Sequence, residues 1–189
     1  RRAAEVATGR RRRLTPGGGL RWAGHPSVGA AWGLRQPGRI DDRPNVQACG
    51  SGLLPVLVGP DLVTLTGGSP MVGEQLDPAP FLAAVGLTAD DLAGPPVRFC
   101  GTGIDFAYLL VRPGAVDRAR PVLASVAALG GTGIALLSMD GMVASCRVFP
   151  CSVGILEDPA TGSAALGLGV MLAASGLLGD GSYDYVVEQ

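Results

Sequence analysis

Short apolar runs that begin and end at Gly or Pro constrain the fold of this chain more than any other feature. There are 30 Gly and 15 Pro among the 189 residues, and runs bounded in this way are typical of β-strands. The pattern predicts strands at residues 53–58, 62–65, 104–111, 134–138 and 144–149. Apolar residues at helical spacing predict helices at residues 27–34, 79–85, 116–128 and 163–178. Strands joined by long connections, with few helices, indicate an α+β fold rather than a repeated βαβ unit.

Composition and charge exclude several classes of protein. Apolar residues make up 47% of the chain and charged residues 16%, which favours a folded core over intrinsic disorder. The formal net charge of −1 creates no general attraction to nucleic acid or to anionic lipid. We interpret the arginines at residues 10–13 as part of a solvated strand or loop, so no nucleic-acid partner is expected.

The cysteines and the single histidine do not have the spacing of a metal site. Cys49, Cys100, Cys146 and Cys151 form no paired motif with His25, so no metal is expected. The start of the sequence is rich in Arg and does not resemble a secretory signal. We therefore expect free thiols, a reducing compartment and a cytoplasmic location.

Residues 159–179 form an uncharged stretch that is long enough to span a bilayer. The stretch contains five Gly, one Pro and three Ser or Thr, whereas a spanning helix is richer in Leu, Ile, Val and Phe. A helix that is apolar on every side is also typical of an enclosed helix in a globular domain. We favour the enclosed helix and expect no membrane partner, with membrane insertion as the alternative.

A Pro-rich joint at residues 77–80 predicts a domain boundary, with a first domain at residues 1–79 and a second at residues 80–189. The two sides share a short pattern. Residues 23–31 read AGHPSVGAA and residues 160–165 read ATGSAA, and each places a turn of small residues before an Ala/Gly-rich helix. This similarity predicts two similar halves, each with one buried helix.

Both turns have the features of a substrate-binding helix N-terminus. The first N–H groups of a helix have no intrahelical acceptor and lie at the positive end of its dipole, so they stabilise a carboxylate or an enolate. Glycine lets a substrate approach the backbone closely. The first turn contains His25, and the second contains Asp158 and Ser163. If the two halves face each other, these side chains form a general acid/base site without metal or cofactor.

Structural roles for the same residues remain open at this point. Asp158 precedes Pro159, so it is also suited to be a helix N-cap followed by proline at the first helical position. Ser27 and Ser163 are ordinary N-cap candidates. His25 is also compatible with a lone loop histidine that has no catalytic role.

Cysteine offers a competing site. The turns at residues 49–52 (CGSG) and 100–103 (CGTG) look like those that hold catalytic thiols in two-cysteine racemases. A thiolate at a helix N-terminus is a good base because the dipole lowers its pKa. Here a strand-like run follows each turn, so we interpret both as Gly-rich turns between strands.

The residues at 157–165 (EDPATGSAA) strongly resemble the signature of the PhzF-like family, also called phenazine biosynthesis PhzC/PhzF. Residues 23–31 look like the other motif of that family. Residues 14–16 are similar to its threonine-proline strand end, and residues 49–56 occupy a family-like position. The last three residues look like the start of a further family segment. The resemblance runs through most of the chain.

The resemblance implies a diaminopimelate-epimerase-like fold with two similar domains, each a β-barrel-like sheet around a central helix, and an active site between them. It implies a cofactor-independent isomerase or epimerase that acts by proton transfer on a small carboxylated metabolite, as in phenazine-type biosynthesis. No cofactor is implied, and a homodimer is the default assembly. Racemases of this fold carry cysteines where this chain has Ala23 and Asp158. The catalytic residues implied are Asp158, His25 and Ser163, and the substrate-binding residues are Gly24, Gly162, Thr161 and Ser27.

One family feature is not found. The main acid/base of the family is a Glu in a Ser-Glu-Thr-like segment upstream of the GHP motif. Glu5 is the only acidic residue before His25, and it lacks the flanking Ser. We therefore expect the chain to be a fragment at both ends. The alternative function is that of a catalytically impaired or ligand-binding relative.

Overall fold

The computed structural model describes residues 9–10, 13–15, 18–20, 24–40, 44–49 and 52–189. The chain divides into two compact units, Arg1–Ser69 and Pro70–Gln189. The predicted boundary between residues 79 and 80 falls inside the second unit, at the first residues of a helix.

The described residues of the first unit form two small sheets and one helix. Strands β1 and β4 to β6 form a four-stranded sheet in the order β1-β4-β5-β6, and β2 pairs with β3. Val56, Val58 and Val63 of this sheet form a small core with Ala31 of the helix. The elements are β1 (Gly9–Arg10), β2 (Arg13–Thr15), β3 (Gly18–Leu20), α1 (Gly24–Arg35), β4 (Pro44–Cys49), β5 (Gly52–Val58) and β6 (Val63–Leu65).

Helix α1 begins at Gly24, earlier than the predicted start at residue 27. Pro26 therefore lies in the first turn of the helix. Proline is tolerated there because the first N–H groups of a helix have no intrahelical acceptor in any case. The motif GHPS is thus helical itself rather than a turn before the helix.

The second unit is built on one six-stranded sheet in the order β12-β11-β10-β9-β8-β7. The pairs β9–β10 and β11–β12 are parallel, and the other pairs are antiparallel. The elements are β7 (Met71–Val72), α2 (Ala79–Ala84), β8 (Arg98–Gly101), β9 (Asp105–Leu110), α3 (Ala115–Arg118), α4 (Leu123–Ala128), β10 (Ile134–Asp140), β11 (Val143–Phe149), α5 (Gly162–Ala174) and β12 (Val186–Glu188). Short 3₁₀ helices occupy Ala89–Asp91 and Cys151–Val153.

Both faces of this sheet are covered. In β9, Ala107 and Leu109 pack in the cluster that includes residues of α2, α3 and α4. The alternate residues Phe106 and Tyr108 pack in the cluster that includes α5. Because successive side chains of a strand point to opposite faces, a strand buried on both sides is a continuous apolar run. This arrangement explains the uninterrupted runs in β9 and β10.

The ends of two predicted helices differ from observation for identifiable reasons. Residues 116–128 form α3 and α4 rather than one helix, because Pro121 lacks an N–H group and disfavours helical backbone before it. Helix α5 stops at Ala174 because Gly176 adopts a φ of +69°. The N–H groups of Gly176 and Leu177 then bond to Ala173 and Leu172, which is the Schellman termination.

Helix α5 lies where an enclosed helix is predicted, but it is buried only in part, since Ala173 and Ala174 at its end are exposed. It is 13 residues long, and it contacts β8 and β9. Within the part of the chain that the structure describes, no helix has the length and apolar character needed to cross a membrane.

Candidate active site

The first predicted turn lies at the start of α1 in the first unit. Gly24 is buried and His25 is exposed. The Ser27 side chain is 0% exposed, and its Oγ accepts a hydrogen bond of 3.3 Å from Nε2 of Gln47 in β4. Ser27 lies inside the helix, so the N-cap interpretation of this residue is wrong. Its hydroxyl instead links α1 to the sheet of the same unit.

The second predicted turn lies between β11 and α5 in the second unit. The backbone N–H of Asp158 donates to the carbonyl oxygen of Val148 over 3.0 Å, and the two residues form an antiparallel bridge. Asp158 is half-buried. This bond fixes the backbone of Asp158 to the end of β11.

Thr161 connects Asp158 to the helix. It is the N-cap of α5, so the interpretations of Asp158 and Ser163 as N-caps are wrong. The Thr161 hydroxyl donates to Oδ2 of Asp158 over 2.5 Å. The Thr161 carbonyl accepts the N–H groups of Ala164 and Ala165 at 3.0 and 3.1 Å. The first turn of α5 and the Asp158 carboxylate are therefore held by one residue.

The Gln189 side chain, which follows β12, closes the same turn. Its Oε1 accepts the backbone N–H of Thr161 over 2.9 Å. Its Nε2 donates to the Thr161 hydroxyl oxygen over 3.1 Å and to the carbonyl oxygen of Asp158. Both polar atoms of the Gln189 amide, Oε1 and Nε2, therefore bond to the turn, at Thr161 and at Asp158.

An ion pair holds the residue before Asp158. Nε and Nη2 of Arg147 bond to the two carboxylate oxygens of Glu157 at 2.7 and 2.8 Å. Nη1 of Arg147 also donates to the carbonyl oxygens of Val116 and Ala119, and its guanidinium lies over the Phe149 ring. These hydrogen bonds to Arg147 hold the pKa of Glu157 below its usual value. Arg147 therefore ties the Asp158 turn to β11 and to the end of α3.

The N-terminus of α5 places backbone hydrogen-bond donors next to Asp158. Gly162 and Ser163 supply N–H groups that have no acceptor within the helix. These groups carry the positive end of the helix dipole. The turn therefore combines a carboxylate with hydrogen-bond donors for an anion, which suits proton transfer next to a carboxylate.

The hydroxyls of two tyrosines bond to the first turn of α5. Tyr108 donates to the carbonyl oxygen of Ala164, and Tyr185 donates to that of Ala165, both over 2.7 Å. The Tyr185 oxygen also accepts the N–H of Gly169 over 3.0 Å. Burial raises the pKa of Tyr108 well above its usual value. Tyr108 is therefore a fixed donor and not an acid/base group at neutral pH.

The cysteine-based alternative finds no support in this geometry. Strands follow both turns, since β5 begins at Gly52 and β9 begins at Asp105. All four thiols are free. Burial raises the pKa of Cys100, which is the opposite of what a thiolate base needs.

The sequence motifs located Asp158, Thr161, Gly162 and Ser163 together in one turn of the second unit, and Gly24, His25 and Ser27 together at the start of α1 in the first. Sequence reasoning missed Arg147 and Gln189. The sequence does carry a signal for Arg147, because it is the only charged residue of strand β11. Gln189 left none, because a polar residue after a short strand is common.

Comparisons with known proteins agree with these motifs. A family model described as phenazine biosynthesis-like protein, PhzC-PhzF, matches residues 1–188. The uncharacterized isomerase YddE of Salmonella typhimurium is 32% identical over 122 residues, which are 58% of this chain and 39% of that protein. The chain therefore matches well under half the length of this relative.

Solved structures share the fold. A PhzF-family phenazine biosynthesis protein from Bacillus anthracis aligns with a TM-score of 0.79 and 23% identity, covering 98% of this chain and 68% of that one. A predicted epimerase from Pseudomonas aeruginosa aligns at 0.71 with 28% identity, covering 92% and 64%. A hydroxyproline epimerase from Agrobacterium vitis, with bound trans-4-OH-L-proline, aligns at 0.65 with 14% identity, covering 94% and 58%.

These alignments confirm the predicted α+β fold of the diaminopimelate-epimerase type. The family model extends over nearly the whole chain and includes both the GHP and the EDPATGS motifs. The chain belongs to the phenazine biosynthesis-like (PhzC/PhzF) family.

Proposed function

We propose that the protein is a cofactor-independent isomerase or epimerase that moves a proton on a small carboxylated metabolite. The observation that carries this proposal is the Asp158 turn, where one carboxylate oxygen is held by Thr161 at the N-terminus of α5. The isomerase and epimerase names of the relatives support the same class of reaction.

Asp158 is the proposed acid/base group. In one direction its carboxylate takes the proton from the carbon next to the substrate carboxylate, and the electrons of the C–H bond enter an enolate. A second acid/base group returns a proton to this intermediate. We propose His25 for that role, because it is the only histidine of the chain and lies in the other motif.

The helix N-termini are proposed to stabilise the negative charge of the intermediate. The N–H groups of Gly162 and Ser163 would supply this stabilisation, whereas the Ser27 side chain is fully buried and bonded to Gln47, so we do not propose it as a substrate contact. By analogy with oxyanion holes, each well-placed donor is worth about 2.7–4 kcal/mol in the transition state. Small residues at these positions leave room for the substrate to reach the backbone.

Exchange with solvent tests the proposal directly. The complete gene product is incubated in deuterated water with a panel of small amino, imino and hydroxy carboxylates, and deuterium at the carbon next to the carboxylate is measured by NMR. We expect enzyme-dependent incorporation for at least one compound. Turnover of a compound without any deuterium in the product would contradict proton exchange at the site.

The Asp158→Asn substitution tests the assigned residue. Loss of the acid/base group is expected to lower the exchange rate by about 10²-fold or more. Asp180→Asn is the matched control, because it makes the same chemical change at an exposed residue of the same unit and should leave the rate unchanged. Equal rates for wild type and Asp158→Asn would remove Asp158 from the mechanism.

A ligand-binding function without turnover is the second candidate. The observation that favours it is that Glu5, the acidic residue that precedes His25, lacks the flanking Ser of the family's acid/base segment. In that case a carboxylate from the panel raises the unfolding temperature of the protein but gains no deuterium. Binding together with exchange would exclude this function.

A further inference from the structure

The amide of Gln189 has only one orientation that satisfies its partners. A backbone N–H can only donate and a backbone carbonyl can only accept. The N–H of Thr161 therefore requires Oε1, and the carbonyl of Asp158 requires Nε2. Although amide orientation is ordinarily ambiguous, two backbone groups of opposite character fix it here.

This orientation determines what the Thr161 hydroxyl does. Nε2 of Gln189 donates to Oγ1 of Thr161 over 3.1 Å, so this oxygen acts as an acceptor on that side. A hydroxyl has a single proton, and the neighbouring Oδ2 of Asp158, at 2.5 Å, is an acceptor. The result is a directed chain of hydrogen bonds from Gln189 through Thr161 to Asp158.

The chain of hydrogen bonds distinguishes the two oxygens of the carboxylate. Oδ2 accepts the hydrogen bond that the Thr161 hydroxyl donates. Among the residues that the structure describes, Oδ1 accepts no hydrogen bond, so it keeps its lone pairs for another proton. The two oxygens of Asp158 are therefore not equivalent.

The topology of the sheet explains how Gln189 reaches this turn. Strand β12 runs parallel to β11, with Glu188 opposite Ser145. Parallel strands carry their C-terminal ends to the same edge of a sheet. Because β12 ends opposite Ser145, the next residue, Gln189, continues in the direction in which β11 runs toward Val148, which holds the backbone of Asp158.

We propose that Gln189 is a positioning residue that, through Thr161, fixes Oδ2 of Asp158 and leaves Oδ1 as the atom that exchanges protons with the substrate. The assignment of Oδ1 rests on the proposed function, whereas the hydrogen-bonded chain does not. Thr161 has the same positioning role, because it is itself hydrogen-bonded to the Asp158 carboxylate.

The hydrogen-bonded chain is tested first without substrate. In isotope-labelled complete gene product, the hydroxyl proton of Thr161 is expected to exchange slowly with water and to be visible by NMR. Gln189→Glu keeps the size of the side chain but removes both Nε2 donors, so this signal should be lost. Glu188→Gln alters the neighbouring exposed residue and should retain it. A signal that persists unchanged in Gln189→Glu would overturn the proposal whether or not the protein is an enzyme.

Kinetics then separate positioning from general structural support. Gln189→Glu and Thr161→Val are each expected to lower kcat for deuterium exchange by about 10- to 100-fold, because small misplacements of a catalytic group have effects of this size. The KM should change by less than about threefold. Thr161→Ser restores the hydroxyl and should recover most of the rate, and thermal unfolding confirms that each variant is folded.

The two proposals fail in different ways. If wild type exchanges no compound, the proposed function fails, while the NMR signal still decides whether the hydrogen-bonded chain exists. If wild type exchanges a compound but Thr161→Val has the same kcat, the positioning role is wrong and the proposed function stands. A fall in kcat for Thr161→Ser as large as that for Thr161→Val would also contradict the role of the hydroxyl.

Discussion

At the scale of single residues, the ion pair between Arg147 and Glu157 makes stability depend on pH. The Glu157 side chain is 41% exposed and that of Arg147 is 25% exposed, so water screens part of the interaction. The geometry is nevertheless bidentate, which is the strongest arrangement for this pair. The pair therefore stabilises the Asp158 turn in proportion to the ionisation of Glu157.

The sign of this dependence follows from the pKa of Glu157, which the hydrogen bonds to Arg147 lower from the ordinary value of 4.5. The unfolded state then binds a proton at Glu157 more readily than the folded state does. The ion pair therefore contributes fully to the free energy of unfolding above pH 4.5, and this contribution is lost as the pH falls through the lower pKa of the folded state. We expect Glu157→Gln to destabilise the protein at pH 7 and to differ progressively less from wild type as the pH falls below 4.5. Urea unfolding at a series of pH values measures this difference.

Glu74→Gln provides the matched control for that series. Glu74 is exposed and has no ion pair among the residues that the structure describes. Its substitution should change the free energy of unfolding little at any pH. A pH-independent effect of Glu157→Gln, or an equal effect of Glu74→Gln, would show that the ion pair does not contribute as described.

At the scale of elements, close packing of α5 on β8 and β9 depends on Gly167. A Cβ at residue 167 would overlap the Tyr108 hydroxyl and lie 3.2 Å from the Cα of Gly101. The same hydroxyl holds the first turn of α5 through Ala164. A glycine is therefore needed at residue 167 because the helix and the sheet lie in close contact there.

Gly167→Ala is expected to destabilise the protein by about 1–3 kcal/mol, because an added methyl group in a packed interior forces displacement. Alanine normally stabilises a helix relative to glycine by roughly 0.5–1 kcal/mol. Gly33→Ala in α1, where a Cβ would meet nothing within 4 Å, should show this ordinary gain. Urea unfolding of both variants gives the comparison.

Tyr108→Phe in the Gly167→Ala background supplies a second check. Removal of the hydroxyl should relieve part of the overlap, so the double variant is expected to be less destabilised than the sum of the single variants. Simple additivity would mean that Tyr108 is not the obstacle. Stabilisation by Gly167→Ala equal to that by Gly33→Ala would contradict the close contact itself.

The extent to which sequence predicts these elements depends on how apolar each one is. The continuous apolar run of β10 was predicted from its first residue, Ile134. Strands β4 (PNVQAC) and β8 (RFCG) were missed because polar residues interrupt them. They are strands because the neighbouring β5 and β9 provide hydrogen-bond partners. Tertiary pairing of this kind leaves no trace in local sequence.

The residues of the candidate site stand in local motifs, whereas the residues that support them do not. Small and charged residues at a helix start can be recognised from sequence alone, so the two motifs drew attention to Asp158 and His25, whose catalytic roles stay predictions. The supports came from distant positions, since Gln189 reaches the turn only through the pairing of β12 with β11. A residue whose role depends on strand register carries no recognisable local pattern.

At the scale of the whole molecule, the thiols report on the integrity of both units. Cys49 lies in the first unit and is partly exposed, whereas Cys100, Cys146 and Cys151 are buried in the second. Burial raises the pKa of Cys146 to about 12. The three buried thiols are therefore both inaccessible and protonated at neutral pH, which suppresses their reactivity.

We expect a thiol-specific reagent at pH 7 to label Cys49 first in the native protein and the other three only when the second unit opens. In denaturant all four should react. Mass spectrometry of labelled peptides identifies the order, and Cys49→Ser should remove the fast phase while leaving the slow one. Fast labelling of Cys146 under native conditions would contradict its burial in the core of the sheet.

The parallel pairing of β12 with β11 also has a consequence for the order of events during synthesis. Asp158 and Thr161 leave the ribosome well before Gln189, so the turn lacks its amide partner while the intervening helix is being made. The Asp158 carboxylate acquires its final surroundings only after β12 has taken its place at the edge of the sheet. The hydrogen bonds between Gln189 and the Asp158 turn therefore depend on a strand that is synthesised after the turn itself.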